Sequence, residues 1–199
     1  MPRKYTLKKR AEQSAETRRR IVEATVVLHG EVGPAATTLS MIAERAGVQR
    51  HTLYAHFPDE RSLLLACSGL ALERDPLPDG APWADIPGVR ERLRTGISAV
   101  YGWYARNADL AACVLRDAEH HALTKEITEL RFGPPMTIHR RVLSVGLPPR
   151  ARALLAVALN FHSWRTLALG AARLSPTAAA DLMADAIASA CSRNTAHAK

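Results

Sequence analysis

The most constraining feature of this sequence is a glycine, Gly47, set between two helical patterns too short to stand alone. The stretch "IAERAGVQRHTLYAHF" carries one pattern ending at Ala46 and another ending near His56. Helices shorter than about ten residues do not offset the cost of their own nucleation in water. They must rest on something, and the preceding segment offers it. Ile21, Ala24, Thr25, Leu28 and Val32 recur at steps of three and four and form one buried face on a helix expected over residues 15–31. Gly33-Pro34 ends that helix. Thr37 or Thr38 offers an N-cap for the first short helix, whose inward positions are Ile42, Ala43 and Ala46. Gly47 supplies positive φ for the turn. Pro58 forces Phe57 out of the helical region, and Asp59 caps a fourth helix through Leu63, Leu64, Leu65 and Leu72.

A long helix, a short helix, a tight turn and a second short helix make the helix-turn-helix arrangement. With Val48, Leu53 and Phe57 turned inward, the second short helix shows Gln49, Arg50, His51, Thr52, Tyr54 and Ala55 on its outer face and N-terminal end. These side chains suit a DNA groove. Arg bonds guanine O6/N7 in bidentate fashion, Gln bonds adenine, and hydroxyl and imidazole groups reach phosphates. His56 joins them if it faces outward. The chain nets +8, and residues 1–20 hold eight Lys/Arg against two Glu. A basic excess of this kind fits a polyanionic partner. Residues 1–14 show no apolar period and read as a flexible basic arm, in which Arg3, Lys4, Lys8, Lys9 and Arg10 would follow a DNA backbone or enter the minor groove. A plain solvated tail is the alternative.

The run from Thr37 to Leu64, "TTLSMIAERAGVQRHTLYAHFPDERSLL", preceded by "TRRRIVEATVVLHGEVG", resembles the DNA-binding domain of the TetR family of transcriptional regulators. The resemblance implies an all-α homodimer. Its first three helices would bind a palindromic double-stranded DNA operator, and its larger second part would hold a small-molecule effector and the dimer interface. It also implies a repressor released by that effector, although some members activate. Carried over residue by residue, Thr38 and Ser40 contact DNA from the second helix. Gln49, Arg50, His51, Thr52, Tyr54 and Ala55 lie on the recognition helix, and Tyr54 and His56 lie near phosphate. The sequence departs from the family pattern in places. Gln49 stands where Ser or Thr usually caps, and Glu60 stands where a phosphate-binding Lys is frequent, so that contact is not carried over.

The implied organisation is an arm over 1–14, a DNA-binding domain over 15–58 and an effector-binding and dimerisation domain over 59–199. "RDPLPDGAPWADIPG" (74–88) is a linker or long loop. Beyond it five helical segments are expected, over 89–106, 109–122, 125–145, 149–169 and 176–192, with "FGPPM" kinking or splitting the third. Ligand-pocket candidates on these helices are Trp103, Tyr104, Asn107, Arg116, His120, Phe161, His162 and Trp164, together with Arg106 and Asp117. Each has a plain alternative in core packing, and Arg116-Asp117 in an internal ion pair. His29 reads as a core histidine.

Several function classes find no support. There is no nucleophile elbow, phosphate loop or paired metal-ligand spacing, so no enzyme, cofactor or metal is expected. No run of about 18 apolar residues is present, so no membrane partner is expected. Cys67, Cys113 and Cys191 read as reduced thiols of a cytoplasmic protein.

Overall fold

The structure is a computed structural model that describes residues 3–192, without the side chains of residues 3–7 and 192. Among these residues the secondary structure is helical throughout: α1 (Arg3–Glu31), α2 (Leu39–Ala46), α3 (Arg50–His56), α4 (Glu60–Arg74), α5 (Val89–Arg106), α6 (Ala108–Ala118), α7 (Ala122–Leu143), α8 (Pro149–Ala158), α9 (Phe161–Leu169) and α10 (Pro176–Ser192). The fold is all-α. The chain divides into two units. The first comprises residues 1–76 and 109–131, and the second 77–108 and 132–199. The second part of the chain therefore contributes α6 and the start of α7 to the helix-turn-helix unit.

In the first unit, α1 carries the core. Ile21, Val22, Ala24, Thr25 and Leu28 are buried against Ile42, Ala43, Ala46, Leu53, Phe57, Leu63 and Cys67. Burying each large aliphatic or aromatic side chain contributes about 1.5–3 kcal/mol, enough to hold α2 and α3 on α1 although neither is stable alone. Val32, expected on this buried face, is exposed. It lies beyond the end of α1, where the chain has left the helical period. The α1 helix also begins earlier than expected. Arg3–Gln13, expected as a flexible arm, is the opening of α1. Lys, Arg, Glu and Gln are good helix formers without an apolar stripe, and Lys8 and Glu12 stand 4.0 Å apart at i,i+4.

In the second unit, α5 is the central helix. Leu93, Ile97, Val100 and Tyr101 are fully buried, and α10, with Ala179, Ala180, Ala184 and Ile187 buried, packs on α5. Gly96 lets the backbone come close: a Cβ there would meet Leu143 at 2.6 Å and Trp83 at 2.9 Å. Trp83 comes from a 3-10 turn, Ala81–Asp85, inside the segment expected as linker. Burial of its indole fixes that loop. Arg92 is buried and donates to the carbonyls of Ile86 (3.0 Å) and Val145 (2.7 Å), which ties the end of that loop and the turn after α7 to α5.

Two helix boundaries differ from expectation. α7 runs unbroken through Pro134 and Pro135. Residues 149–169 form two helices, because Asn160 starts a new helix by accepting from the His162 N–H at 2.8 Å. The carbonyls of Ala158 and Leu159 at the break accept from the hydroxyls of Tyr101 and Tyr104, both at 2.8 Å. Buried helix-end carbonyls need such partners.

Candidate nucleic-acid interface

The local sequence fixes the geometry of the helix-turn-helix in order. Thr38 caps α2 in an extended conformation, and its side chain accepts from the Met41 N–H at 3.2 Å. Gly47 ends α2 at φ 63°, ψ 42°. Its N–H donates to Glu44 O at 3.0 Å and the Val48 N–H to Ala43 O at 2.9 Å. A side chain at this φ would be strained by about 1–2 kcal/mol, so glycine is favoured by backbone conformation. Gln49 then begins α3 without a side-chain cap bond, as expected from its departure from Ser or Thr. Leu53 and Phe57 anchor α3 in the core. Asp59 caps α4 by accepting from the Ser62 N–H at 2.6 Å.

The anchors turn the polar residues outward. Gln49, Arg50, His51, Tyr54 and Ala55 are exposed, Thr52 and His56 are half-buried, and Thr38 and Ser40 are exposed at the start of α2. Tyr54 is 46% exposed, an unusual position for so large a ring on a helix otherwise sealed against a core. Among the described residues, the side chains of Arg50, His51 and Tyr54 make no hydrogen bond or ion pair. A row of exposed, uncommitted donors on a rigidly held short helix is what base-edge and phosphate recognition requires.

The run Arg18-Arg19-Arg20 of α1 reads in the sequence either as a DNA-facing cluster or as a solvated helix face, and two of its side chains reach this region. The Arg18 guanidinium lies 4.7 Å from the centre of the Phe57 ring, a cation–π contact that ties the end of α3 to α1. Arg20 reaches toward the Gly47 turn. Arg19 is held by Glu16 and Glu23. The triple arginine therefore divides, with one member in a local ion-pair network and two facing the recognition turn. A charge run alone carries no signal of that division. Arg45 bonds Glu31 at 2.7 Å and fastens α2 to the end of α1. Glu60 sits in the first turn of α4, where a carboxylate complements the helix dipole.

Behind the interface, His29 is a buried core residue, its Nδ1 3.7 Å from the Cys67 thiol. Burial pushes its pKa down to about 4, opposed by the Asp117 carboxylate. The same burial pushes the Cys67 thiol up to about 12. At neutral pH this is a neutral, unreactive pair.

The ligand-pocket candidates fall into two groups. Arg116 and His120 lie in the first unit. Arg116 bonds the neighbouring Asp117 and the Val32 carbonyl, and His120 Nε2 stands 4.0 Å from Asp117. Trp103, Tyr104, Asn107, Phe161, His162 and Trp164 lie in the second unit. There Tyr104 is central: its ring centre is 5.9 Å from that of Trp103, 5.3 Å from Phe161 and 5.8 Å from Trp164. Phe132, which the sequence did not single out, extends the cluster at 5.5 Å from Trp103. The Trp164 Nε1 donor is buried without an acceptor among the described residues. His162 is exposed against the edge of Phe161, and Asn107 Nδ2 donates to the Trp103 carbonyl at 3.0 Å.

The profile of bacterial regulatory proteins of the tetR family matches residues 21–67, the span from the α1 core face through the first half of α4. The HTH-type transcriptional repressor KstR of Mycolicibacterium smegmatis is 38% identical over 64 residues, which is 32% of this chain and 31% of that protein. The chain thus matches less than a third of the length of that relative. Over most of its length the fold is that of a TetR-like transcriptional regulator from Rhodococcus sp. RHA1, with a TM-score of 0.60 at 21% identity over 91% of this chain and 96% of that one. It is similarly close to the transcriptional regulator FadR from Bacillus subtilis in complex with stearoyl-CoA, with a TM-score of 0.60 at 21% identity over 86% and 98%.

Proposed function

We propose that this chain, a member of the TetR family of bacterial regulators, is a sequence-specific DNA-binding repressor that leaves a palindromic operator when a small molecule binds its second unit. One observation carries the reading. The helix α3 is sealed to the core by Leu53 and Phe57, oriented by Gly47, and presents Gln49, Arg50, His51 and Tyr54 as exposed donors uncommitted among the described residues. Arg50 and Gln49 stand at the N-terminal end, which enters a major groove first, and are assigned to base edges. Thr38, Ser40, Thr52, Tyr54 and His56 are assigned to the sugar-phosphate backbone, with Ala55 in apolar contact. The basic start of α1 supplies further phosphate contacts through its exposed Lys8, Lys9 and Arg10. Deleting residues 2–10 should reduce the salt dependence of binding by about 0.9 in log-log slope for each phosphate no longer neutralised. An unchanged slope would remove the arm from the interface.

A palindromic operator calls for a two-fold dimer. The last three helices suit such a mate: they are rich in alanine, and Val157 and Leu182 are half-exposed apolar residues. Repression is the role named for the M. smegmatis relative. Among the described residues no helix is long and apolar enough to cross a membrane. That accords with action in the cytoplasm, where the operator is.

The effector reading rests on the second unit. Buried aromatic rings around Tyr104 and an unmatched indole donor suit an apolar molecule bearing an acceptor. The second unit also holds 12 Lys/Arg against 5 Asp/Glu, a net +7, whereas the DNA-binding unit holds 15 against 14, a net +1. An amphipathic anion is the effector class that both features favour, and a stearoyl-CoA complex of a protein of like fold points the same way. Footprinting on the DNA flanking its own gene, with and without long-chain acyl thioesters and free fatty acids, tests the whole reading. A protected palindrome that disappears on adding either compound is expected. A footprint that no such compound releases would leave a regulator without this effector class, and no footprint would remove the function.

A further inference from the structure

We propose that Arg116 and Asp117, at the end of α6, are positioning residues for operator reading: together they hold the α1–α2 turn from which the helix-turn-helix starts. The proposal rests on the operator-binding function above. The turn spans residues 32–37. Its internal bonds, Thr37 Oγ1 to Gly33 O at 2.7 Å and the Thr37 N–H to Pro34 O at 3.2 Å, fix its shape but not its place. Its place is fixed from 82 and 84 residues away. The Ala35 N–H donates to Asp117 Oδ2 at 2.9 Å, and Arg116 Nη2 donates to Val32 O at 2.9 Å. Asp117 Oδ1 accepts from Arg116 Nε at 2.8 Å, so both carboxylate oxygens are engaged.

The setting is built for this pair. The Asp117 side chain is 2% exposed. Burial disfavours its charge, but the bonds from Arg116 and Ala35 outweigh that and hold the carboxyl below its ordinary range. Gly33, at φ 94°, has no room for a side chain, because a Cβ would collide with Asp117 Oδ2 and Arg116 Nη2. One face of α6 follows the end of α1 toward the turn: Leu110 lies against Gly30, the Cys113 thiol donates to Gly30 O at 3.5 Å, and Asp117 reaches Ala35. Residues 110, 113 and 117 share that face by helical spacing. The region that matches the family profile, residues 21–67, ends well before α6.

The consequence falls on reading rather than on binding in general. The turn leads directly to Thr38, the cap of α2, and α2 leads through Gly47 to α3. A displaced turn carries α2 and α3 with it. Base-edge hydrogen bonds weaken steeply with misalignment, while charge attraction to phosphates tolerates it. Loss of the latch should therefore lower affinity for the operator more than affinity for unrelated DNA.

The test uses the full chain, a duplex selected from a random library by the wild-type protein, and a scrambled duplex of equal length. Arg116→Ala removes an exposed side chain but leaves the buried Asp117 carboxylate without its partner, so the fold of each variant is checked by circular dichroism. Asp117→Ala removes both bonds of the carboxylate, and Asp117→Asn keeps an acceptor for Ala35. Arg116→Ala and Asp117→Ala should lower affinity for the selected duplex by about tenfold, as removing one base-edge pairing would, with the scrambled duplex unaffected and Asp117→Asn closer to wild type. If the ratio of selected to scrambled affinity stays at the wild-type value in every folded variant, even with a lowered melting temperature, the pair is only structural and the proposal fails. If the wild-type protein selects no duplex, the operator-binding function itself fails and takes the latch's role with it.

Discussion

The two units of this chain use their polar residues in opposite ways. In the helix-turn-helix unit, charge is nearly balanced, and acidic residues hold basic ones in place: Glu23 grips Arg19 and Arg74, Glu31 grips Arg45, and Asp117 grips Arg116. Arg50, on the recognition helix, has no such partner among the described residues. In the second unit Asp185 pairs with Arg90 and Glu91 with Arg94, yet a large basic excess is left over. A DNA-binding unit therefore need not be the most basic part of its protein. The carboxylates hold the arginines that fasten the helices together, while Arg50, proposed to read bases, stands outside those pairs. A mutation that loosens the first unit should act on operator reading directly, and one in the second should act through dimerisation or the response to the effector.

The largest expected effect is in the core beneath the recognition helix. Leu53 is 1% exposed and is the inward anchor of the seven-residue α3. Leu53→Ala should destabilise the first unit by about 2–5 kcal/mol, because α3, too short to persist by itself, loses its main anchor. Chemical denaturation should show an earlier transition for the helix-turn-helix. Hydrogen exchange in α5 and α10 should hold at the wild-type level. Simultaneous loss of protection in both units would mean that they fold as one.

Acid should discriminate next. His29 has its pKa pushed from an ordinary 6.5 down to about 4 by burial. Below pH 6.5 the unfolded chain takes up a proton that the folded chain refuses, so stability falls as pH drops toward 4. The loss is roughly 2–3 kcal/mol over that window. His139, buried in the second unit with Nε2 2.7 Å from Pro78 O, is also lowered by burial, and it should add a slope of the same sign there. His29→Gln should flatten the acid-side slope of the first unit only, which stability curves between pH 4 and 7 would report.

Arg50→Ala should then cost about 1–3 kcal/mol of discrimination at one base position in each half-site, with no change in fold. Binding to a panel of single-base operator variants checks it. A uniform loss across the panel would make Arg50 a phosphate contact instead.

How much of this is legible in the residues alone divides along the same line. In the helix-turn-helix, local signals act at short range. Thr38 caps, Gly47 turns, Asp59 caps, and Ile42, Ala43, Leu53 and Phe57 keep their helical period, so each boundary is written within a few residues of where it acts. The start of α1 is not legible because its helix has no buried face to give it a period. The break at Asn160 carries its own cap but sits in an apolar run whose period continues past it. Pro134 and Pro135 read as breakers, yet the helix passes through them. The role of Asp117 has no local signal at all, because its partner is Ala35 across 82 residues. Arg116 on α6 and His120 in the turn after it are polar groups of the second half, and no local pattern reveals that α6 belongs to the first unit.

The smallest expected effect makes the sharpest version of the comparison. Gly47 and Gly146 both adopt left-handed conformations at the ends of helices, at φ 63° and φ 80°. Neither is crowded: a Cβ at Gly47 would come no closer than 3.8 Å to Arg20 Nη1, and one at Gly146 no closer than 3.7 Å to Val89 Cγ2. Alanine at either position should therefore carry only the backbone penalty, about 1 kcal/mol. The two variants should lose similar stability, read as similar small drops in melting temperature. They should differ on the operator. Gly47 sets the angle between α2 and α3, so its strain is relieved by moving the recognition helix, and the ratio of operator to scrambled-DNA affinity should fall. Gly146 lies between α7 and α8, and Gly146→Ala should leave that ratio untouched. Equal effects on the ratio would show that general loosening, rather than the placement of α3, governs reading.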